Sequence, residues 1–141
     1  MRSLLVTISL GLAMAAPASA YRAINGLTVL PAGQSGQFEV ISSLGAGPQQ
    51  MWCAAAKYAR HGLHVAPNSR IFIANVLSPS ASVQGRKSVI FTVSPNAEQS
   101  NGPRPGEDGN YSVSLKKPGF NLSLAHAESF CLEELIDLLD R

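Results

Sequence analysis

A stretch near the middle of the chain, QQMWCAAAKYARHG at residues 49–62, predicts the helix around which the rest of the protein folds. Its interior is rich in alanine, the strongest helix former, and the preceding Pro48 is tolerated in a first helical turn. The helix should therefore run from about Pro48 to His61. Gly62 marks its end.

This helix has an apolar side and a polar side when residues are placed at about 100° per step. The apolar arc holds Met51, Trp52, Ala55, Tyr58, Ala59 and Leu63. Cys53 lies on the other arc with Gln50, Lys57 and Arg60. Because the apolar arc packs on the core, Cys53 should point away from the sheet.

Strand patterns lie on both sides of the helix. They are GLTVLP (26–31), GQFEVIS (36–42), RIFIANV (70–76), SVIFTV (88–93) and YSVSLK (111–116). In the last of these, Tyr111, Val113 and Leu115 alternate with polar residues, which is typical of a sheet with one face in water. The polar runs at 78–87 and 94–110 should be surface loops.

A second helix is predicted at the C-terminus, where Ser123 can cap the segment LAHAESFCLEELIDLLDR (124–141). Its apolar stripe holds Leu124, Ala127, Cys131, Leu135 and Leu138. Laying this stripe across the outer face of the first helix brings the two sulfurs together. The same packing brings an acidic helix near Lys57 and Arg60.

The first twenty residues, MRSLLVTISLGLAMAAPASA, have the pattern of a secretory signal peptide. A basic start at Arg2 precedes an apolar run, and the segment ends in small residues, so cleavage is predicted between Ala20 and Tyr21. The apolar run is too short for stable membrane insertion. We therefore expect an exported protein of the periplasm or extracellular space, with residues 21–141 forming a single domain.

The cysteine count supports one structural bridge. The chain has only two cysteines, the expected number for one disulfide in an exported protein, and these would pair as Cys53–Cys131. They are far apart and form no Cys-x-x-Cys motif, which disfavours a redox role. The predicted fold is α+β: a mainly antiparallel sheet of four to five strands, a packed helix and a C-terminal helix joined by the disulfide.

Charge is distributed unevenly along the predicted mature chain. Its net charge is near +1, too weak to predict a nucleic-acid partner. Five of the nine acidic residues fall in the last fourteen positions, so residues 132–141 form an acidic amphipathic tail. There Leu132, Ile136 and Leu139 either complete the core or form an exposed strip that docks on another protein or on a second copy. Binding to an anionic membrane is disfavoured because the polar face of this helix is acidic.

An alternative function comes from a partial resemblance. The stretch QQMWCAAAKYA resembles the helix start of papain-like cysteine peptidases, which implies Cys53 as nucleophile and His126 as base. The match departs from that family at two points: Trp52 precedes the cysteine instead of following it, and Gly47 occupies the place of the oxyanion glutamine. Using Cys53 as a nucleophile would also leave Cys131 as an odd thiol.

A second resemblance covers roughly residues 50–131. The segments WCAAAKYA, VIFTVSP and NLSLAHAESFC, in this order after a signal peptide, are similar to small exported proteins of Gram-negative bacteria. The resemblance implies paired cysteines and an exported location, and it implies no catalytic residues. The tail LEELIDLLDR extends beyond it.

Other polar motifs favour turns and helix ends over catalytic or metal sites. His61 and His64 lack the His-Glu-x-x-His pattern of zinc peptidases, and EDGNYS (107–112) lacks the ligand spacing of a calcium loop. We therefore expect no metal and no cofactor. The sequence favours a non-enzymatic exported protein with a binding or envelope-structural role, with a cysteine hydrolase as the alternative.

Overall fold

The structure, a computed structural model, describes residues 19–140, apart from the side chains at positions 133–135, 137 and 138. Nearly all of the predicted signal peptide, residues 1–18, lies outside the described residues.

Six strands and three helices make up the described part of the chain. Their order is β1 (Tyr21–Arg22), β2 (Thr28–Pro31), β3 (Gln37–Ile41), α1 (Pro48–His61), β4 (Arg70–Pro79), β5 (Lys87–Thr92), α2 (Ala97–Ser100), β6 (Asn121–Ser123) and α3 (Leu124–Leu139). The strands form one antiparallel sheet in the order β1-β2-β3-β5-β4-β6. The predicted α+β class is confirmed, with one strand more than the upper expected number.

Helix α1 begins and ends where its sequence predicts. Its first turn is closed by the backbone N–H of Gly47, which donates to Oε1 of Gln50 at 2.9 Å. The fully buried Trp52 packs edge-on against Phe91 of β5, with ring centroids 4.8 Å apart. Truncating a buried tryptophan costs about 3–5 kcal/mol, so this contact is a main attachment of α1 to the sheet.

The core face of the sheet follows the two-residue period of its strands. Phe38 pairs with Phe91 and Val40 pairs with Val89, and all four side chains are fully buried under α1. The two phenylalanine rings stack with centroids 5.9 Å apart. Cross-strand aromatic and β-branched pairs of this kind fix the register, because a slip of one residue would turn the whole apolar set away from α1.

The prediction of a strand at residues 111–116 is wrong. This segment lies outside the sheet: one ladder-like hydrogen bond runs from the Leu77 N–H to the Leu115 carbonyl at 2.9 Å. The neighbouring Ser114 carbonyl instead accepts from the indole Nε1–H of Trp52 at 3.1 Å. A chain bend at residues 115–119 then separates this contact from β6, so no continuous ladder forms along β4.

The long polar run at 94–110 is tied down by the buried side chain of Asn121. Its amide nitrogen donates to the carbonyls of Gly102, Pro103 and Gly119, at 3.0–3.3 Å. Its Oδ1 accepts from Nε of Arg70 at 2.7 Å. The sequence prediction took this run as loop throughout, whereas it also contains the short helix α2.

Helix α3 packs on the outer side of α1, as predicted. The Ser123 hydroxyl accepts from the His126 N–H at 3.2 Å and caps its first turn. Cys53 is bonded to Cys131, and Arg60, further along α1, contacts Glu128, which precedes Cys131 on α3. The two helices therefore run antiparallel.

Candidate functional site

The disulfide joins α1 to α3. The sulfurs of Cys53 and Cys131 are 2.08 Å apart, the Cα atoms are 5.2 Å apart, and both residues are buried. The predicted pairing is confirmed. It gives the exposed side of α3 a rigid support, because the helix cannot leave α1 while the bond is intact.

The cysteine hydrolase hypothesis requires a free thiolate at Cys53. In this structure the sulfur of Cys53 is bonded to Cys131 and is fully buried. The proposed base, His126, is exposed, and its ring lies against Phe130 with centroids 5.4 Å apart. The oxidised protein therefore has no nucleophile at this position.

An ion pair also joins the two helices, about one turn before Cys131 on α3 and about two turns after Cys53 on α1. The guanidinium of Arg60 contacts Oε2 of Glu128 at 2.7 Å, as the acidic character of the last helix predicts. The other oxygen of Glu128, Oε1, is buried and has no hydrogen-bond partner among the described residues. The Arg60 side chain retains 37% of its accessible surface and that of Glu128 17%, so water screens part of the attraction and the pair adds modestly to the contact between the helices.

Three large aliphatic side chains are exposed on the C-terminal half of α3. Leu132, Ile136 and Leu139 retain 59%, 61% and 85% of their accessible surface. Their spacing of four and then three residues places them on one helix face, and we call this set the C-terminal strip. These side chains do not complete the core of the protomer. Burying the surface that each of them still exposes would be worth about 1–2.5 kcal/mol.

A second apolar surface lies at the N-terminal end of α1. It is an open groove of about 360 Å³, lined by Ala46, Pro48, Leu77, Val113, Leu115 and Lys116 among others. We call it the N-terminal groove. Sequence reasoning missed it, because three separate parts of the chain supply its walls and no local pattern marks their meeting.

A polar cluster around the buried Glu39 lies on the face of the sheet that points away from α1. Glu39 of β3 accepts hydrogen bonds from the hydroxyls of Ser80, Ser82 and Ser88, at 2.5–2.6 Å. Burial raises the pKa of Glu39, but the three hydroxyl hydrogen bonds outweigh it and hold that pKa below its ordinary value. Both carboxylate oxygens accept hydrogen bonds, so Glu39 links β3 to β5 and to the connection between β4 and β5.

The remaining sequence candidates stay apart from these surfaces. His61 and His64 are exposed near the end of α1. Among the residues whose side chains the structure describes, no three His, Cys, Asp or Glu side chains come together in a way that could hold a metal ion. Within the same residues, no helix is both long enough and apolar enough to cross a bilayer.

Comparisons of the chain with protein-family models, with curated proteins and with solved structures find no match. The resemblance to small exported proteins stays a prediction. A function is therefore inferred from the chemistry of the C-terminal strip, the N-terminal groove and the disulfide that joins α1 to α3.

Proposed function

We propose that this chain is an exported, non-enzymatic binding protein, acting in the periplasm, in the envelope or outside the cell. Its binding surface is the C-terminal strip. The observation that carries the proposal is the exposure of Leu132, Ile136 and Leu139 along one face of a helix that a disulfide holds in place. Clustered exposed apolar side chains are typical of protein interaction surfaces.

The disulfide favours binding because it preorganises the strip. Ordering a mobile segment on association consumes part of the interaction free energy, whereas a surface already fixed on its scaffold avoids this cost. Cys131 lies directly before Leu132, so the covalent bond to α1 is adjacent to the strip. A protein surface is the partner class that fits, because the acidic residues of the tail disfavour anionic membranes and nucleic acids.

Export is supported by the pattern of residues 1–20 alone. Cell fractionation followed by N-terminal sequencing tests it. We expect the protein outside the cytoplasm with Tyr21 as its first residue. A cytoplasmic protein that retains Met1 would contradict export while leaving the binding surface to be tested separately.

The binding role is tested with Ile136→Asp, which places a charge in the middle of the strip. We expect it to abolish self-association and chemical crosslinking to envelope proteins, while the far-UV circular dichroism spectrum stays that of the wild type. Any fall in the melting temperature should not exceed the contribution of the lost association. His126→Asp is the matched control, because it adds the same charge at an exposed position of α3 outside the strip. The proposal fails if Ile136→Asp associates normally, or if the wild-type protein is monomeric and gives no specific crosslink.

The hydrolase alternative is tested by thiol labelling of the denatured, non-reduced protein. We expect no labelled cysteine in the binding protein, because both sulfurs are in the disulfide. Stoichiometric labelling of Cys53 in protein isolated from its native compartment would favour the hydrolase.

A further inference from the structure

We propose that the partner of the C-terminal strip is a second copy of this chain, and that each protomer docks its strip in the N-terminal groove of the other. The inference rests on the proposed binding role of the strip and names its partner.

Helix geometry places the strip and the groove at the same end of the protomer. Cys53 and Cys131 lie side by side on antiparallel helices, so the chain after Cys131 runs toward the N-terminus of α1. At about 1.5 Å per residue, Pro48 lies about 7.5 Å from Cys53 along the axis, and Leu139 lies about 12 Å from Cys131. Leu139 therefore projects beyond Pro48, which itself lines the groove.

This shared location is what a two-fold dimer requires. In a two-fold interface the same surface of both subunits is used, so each protomer must offer the docking element and its receptor side by side. When two protomers meet end to end, each strip can approach the opposite groove. Both apolar surfaces of both protomers are then covered in one closed assembly, with no free strip left to extend a filament.

The apolar character of the two surfaces matches. The strip supplies three aliphatic side chains, and most of the residues that line the groove are apolar: Ala46, Pro48, Leu77, Val113 and Leu115. Its volume of about 360 Å³ lies in the range of ordinary ligand-binding clefts. The groove can therefore take up apolar side chains of a partner.

Charge favours strip-to-groove pairing over strip-to-strip pairing. Residues 132–141 contain four acidic residues and one arginine, a net charge of −3. Residues 21–131 contain nine Lys or Arg against five Asp or Glu, a net charge of +4. Lys116 lines the groove, and none of the described residues in its lining is acidic. Two strips in contact would bring like charges together, whereas a strip in the groove pairs opposite charges.

The test is complementation between two association-defective variants, measured by sedimentation velocity and light scattering. Ile136→Asp impairs the strip and leaves the groove intact, whereas Val113→Asp impairs the groove and leaves the strip intact. We expect the wild type to be a dimer and each variant alone to associate at least tenfold more weakly. An equimolar mixture should recover association, because the strip of one variant can enter the intact groove of the other.

A second groove variant guards against misfolding of Val113→Asp, which circular dichroism would show. Lys116→Glu changes only an exposed charge in the groove, and Lys117→Glu is its control, because that side chain pairs with Asp108. We expect Lys116→Glu to weaken the dimer and Lys117→Glu to leave it unchanged.

The outcomes separate this inference from the proposed function. If Ile136→Asp loses association while both groove variants keep it, the strip binds another surface, so the inference fails and the binding role stands. If Ile136→Asp also keeps association, both fail. A monomeric wild type whose strip crosslinks to a different protein overturns the second-copy partner alone.

Discussion

Removing the Cys53–Cys131 bond should destabilise the folded protein by several kcal/mol. The bond joins positions 78 residues apart. In the chain-entropy model, a loop of this length restricts the unfolded chain by about 4.5 kcal/mol at 25 °C. Measured losses are more often about 2–4 kcal/mol, because the unfolded state retains structure. Even the lower value is a large part of the ~5–15 kcal/mol available to a domain of this size.

The assay is equilibrium unfolding in guanidinium chloride of the wild type and of the double variant Cys53→Ala, Cys131→Ala. We expect a loss of about 3–4 kcal/mol and a fall in melting temperature on the order of 10–15 °C. The slope of unfolding free energy against denaturant should increase, because the unfolded chain without its crosslink exposes more surface.

Reductant supplies the matched control for the double variant. It should destabilise the wild type by a similar amount and have no effect on the variant, which has no cysteine left. A loss of unfolding free energy below about 1 kcal/mol in both experiments would refute the reasoning, because the crosslink would then contribute little beyond the noncovalent contacts between α3 and α1.

Three further predictions concern buried polar contacts. Glu39→Gln should remove a pH-dependent part of the stability. Because folding lowers the pKa of Glu39, the wild type should lose stability as the pH falls below about 4.5. Urea titrations over the same pH range should show a smaller loss for the variant. Asn121→Ala should lower the free energy of unfolding by about 2–4 kcal/mol, because the carbonyls of Gly102, Pro103 and Gly119 and the Arg70 guanidinium lose a hydrogen-bond partner. Asn101→Ala, at an exposed site, should lower it by less than about 1 kcal/mol in the same assay. Trp52→Phe should cost about 1–3 kcal/mol in thermal melts, from the lost indole hydrogen bond and the small cavity; a neutral result would show that the bond contributes little.

The two helices could be predicted closely from sequence, because their signals are local. Alanine-rich composition and Pro48 define α1, and Ser123 defines the start of α3. The helical period then placed Cys53 and Cys131 on facing sides, which predicted the disulfide and the approach of Arg60 to the acidic helix. These inferences succeeded because a helix fixes the direction of each side chain through its own backbone.

The strand predicted at residues 111–116 shows where prediction from a local pattern failed. Its alternation is that of a strand, yet Tyr111 remains exposed and only the Leu115 carbonyl bonds to β4. Whether an alternating segment joins a sheet depends on a free neighbouring strand edge. Here the indole of Trp52 takes the Ser114 carbonyl, and that competition is invisible in the segment itself.

The sequence by itself determined α1 and α3, the longer strands, the pairing of the cysteines and the three aliphatic residues that exceed the needs of one helix stripe. Only the tertiary structure decided that Leu132, Ile136 and Leu139 stay exposed, that a groove forms beside Pro48, and that Glu39 is held by three serines. The physical reason is how far apart along the chain the interacting residues lie. Helix and strand periods act over a few residues, whereas exposure, grooves and buried polar clusters depend on which distant segments the completed fold brings together.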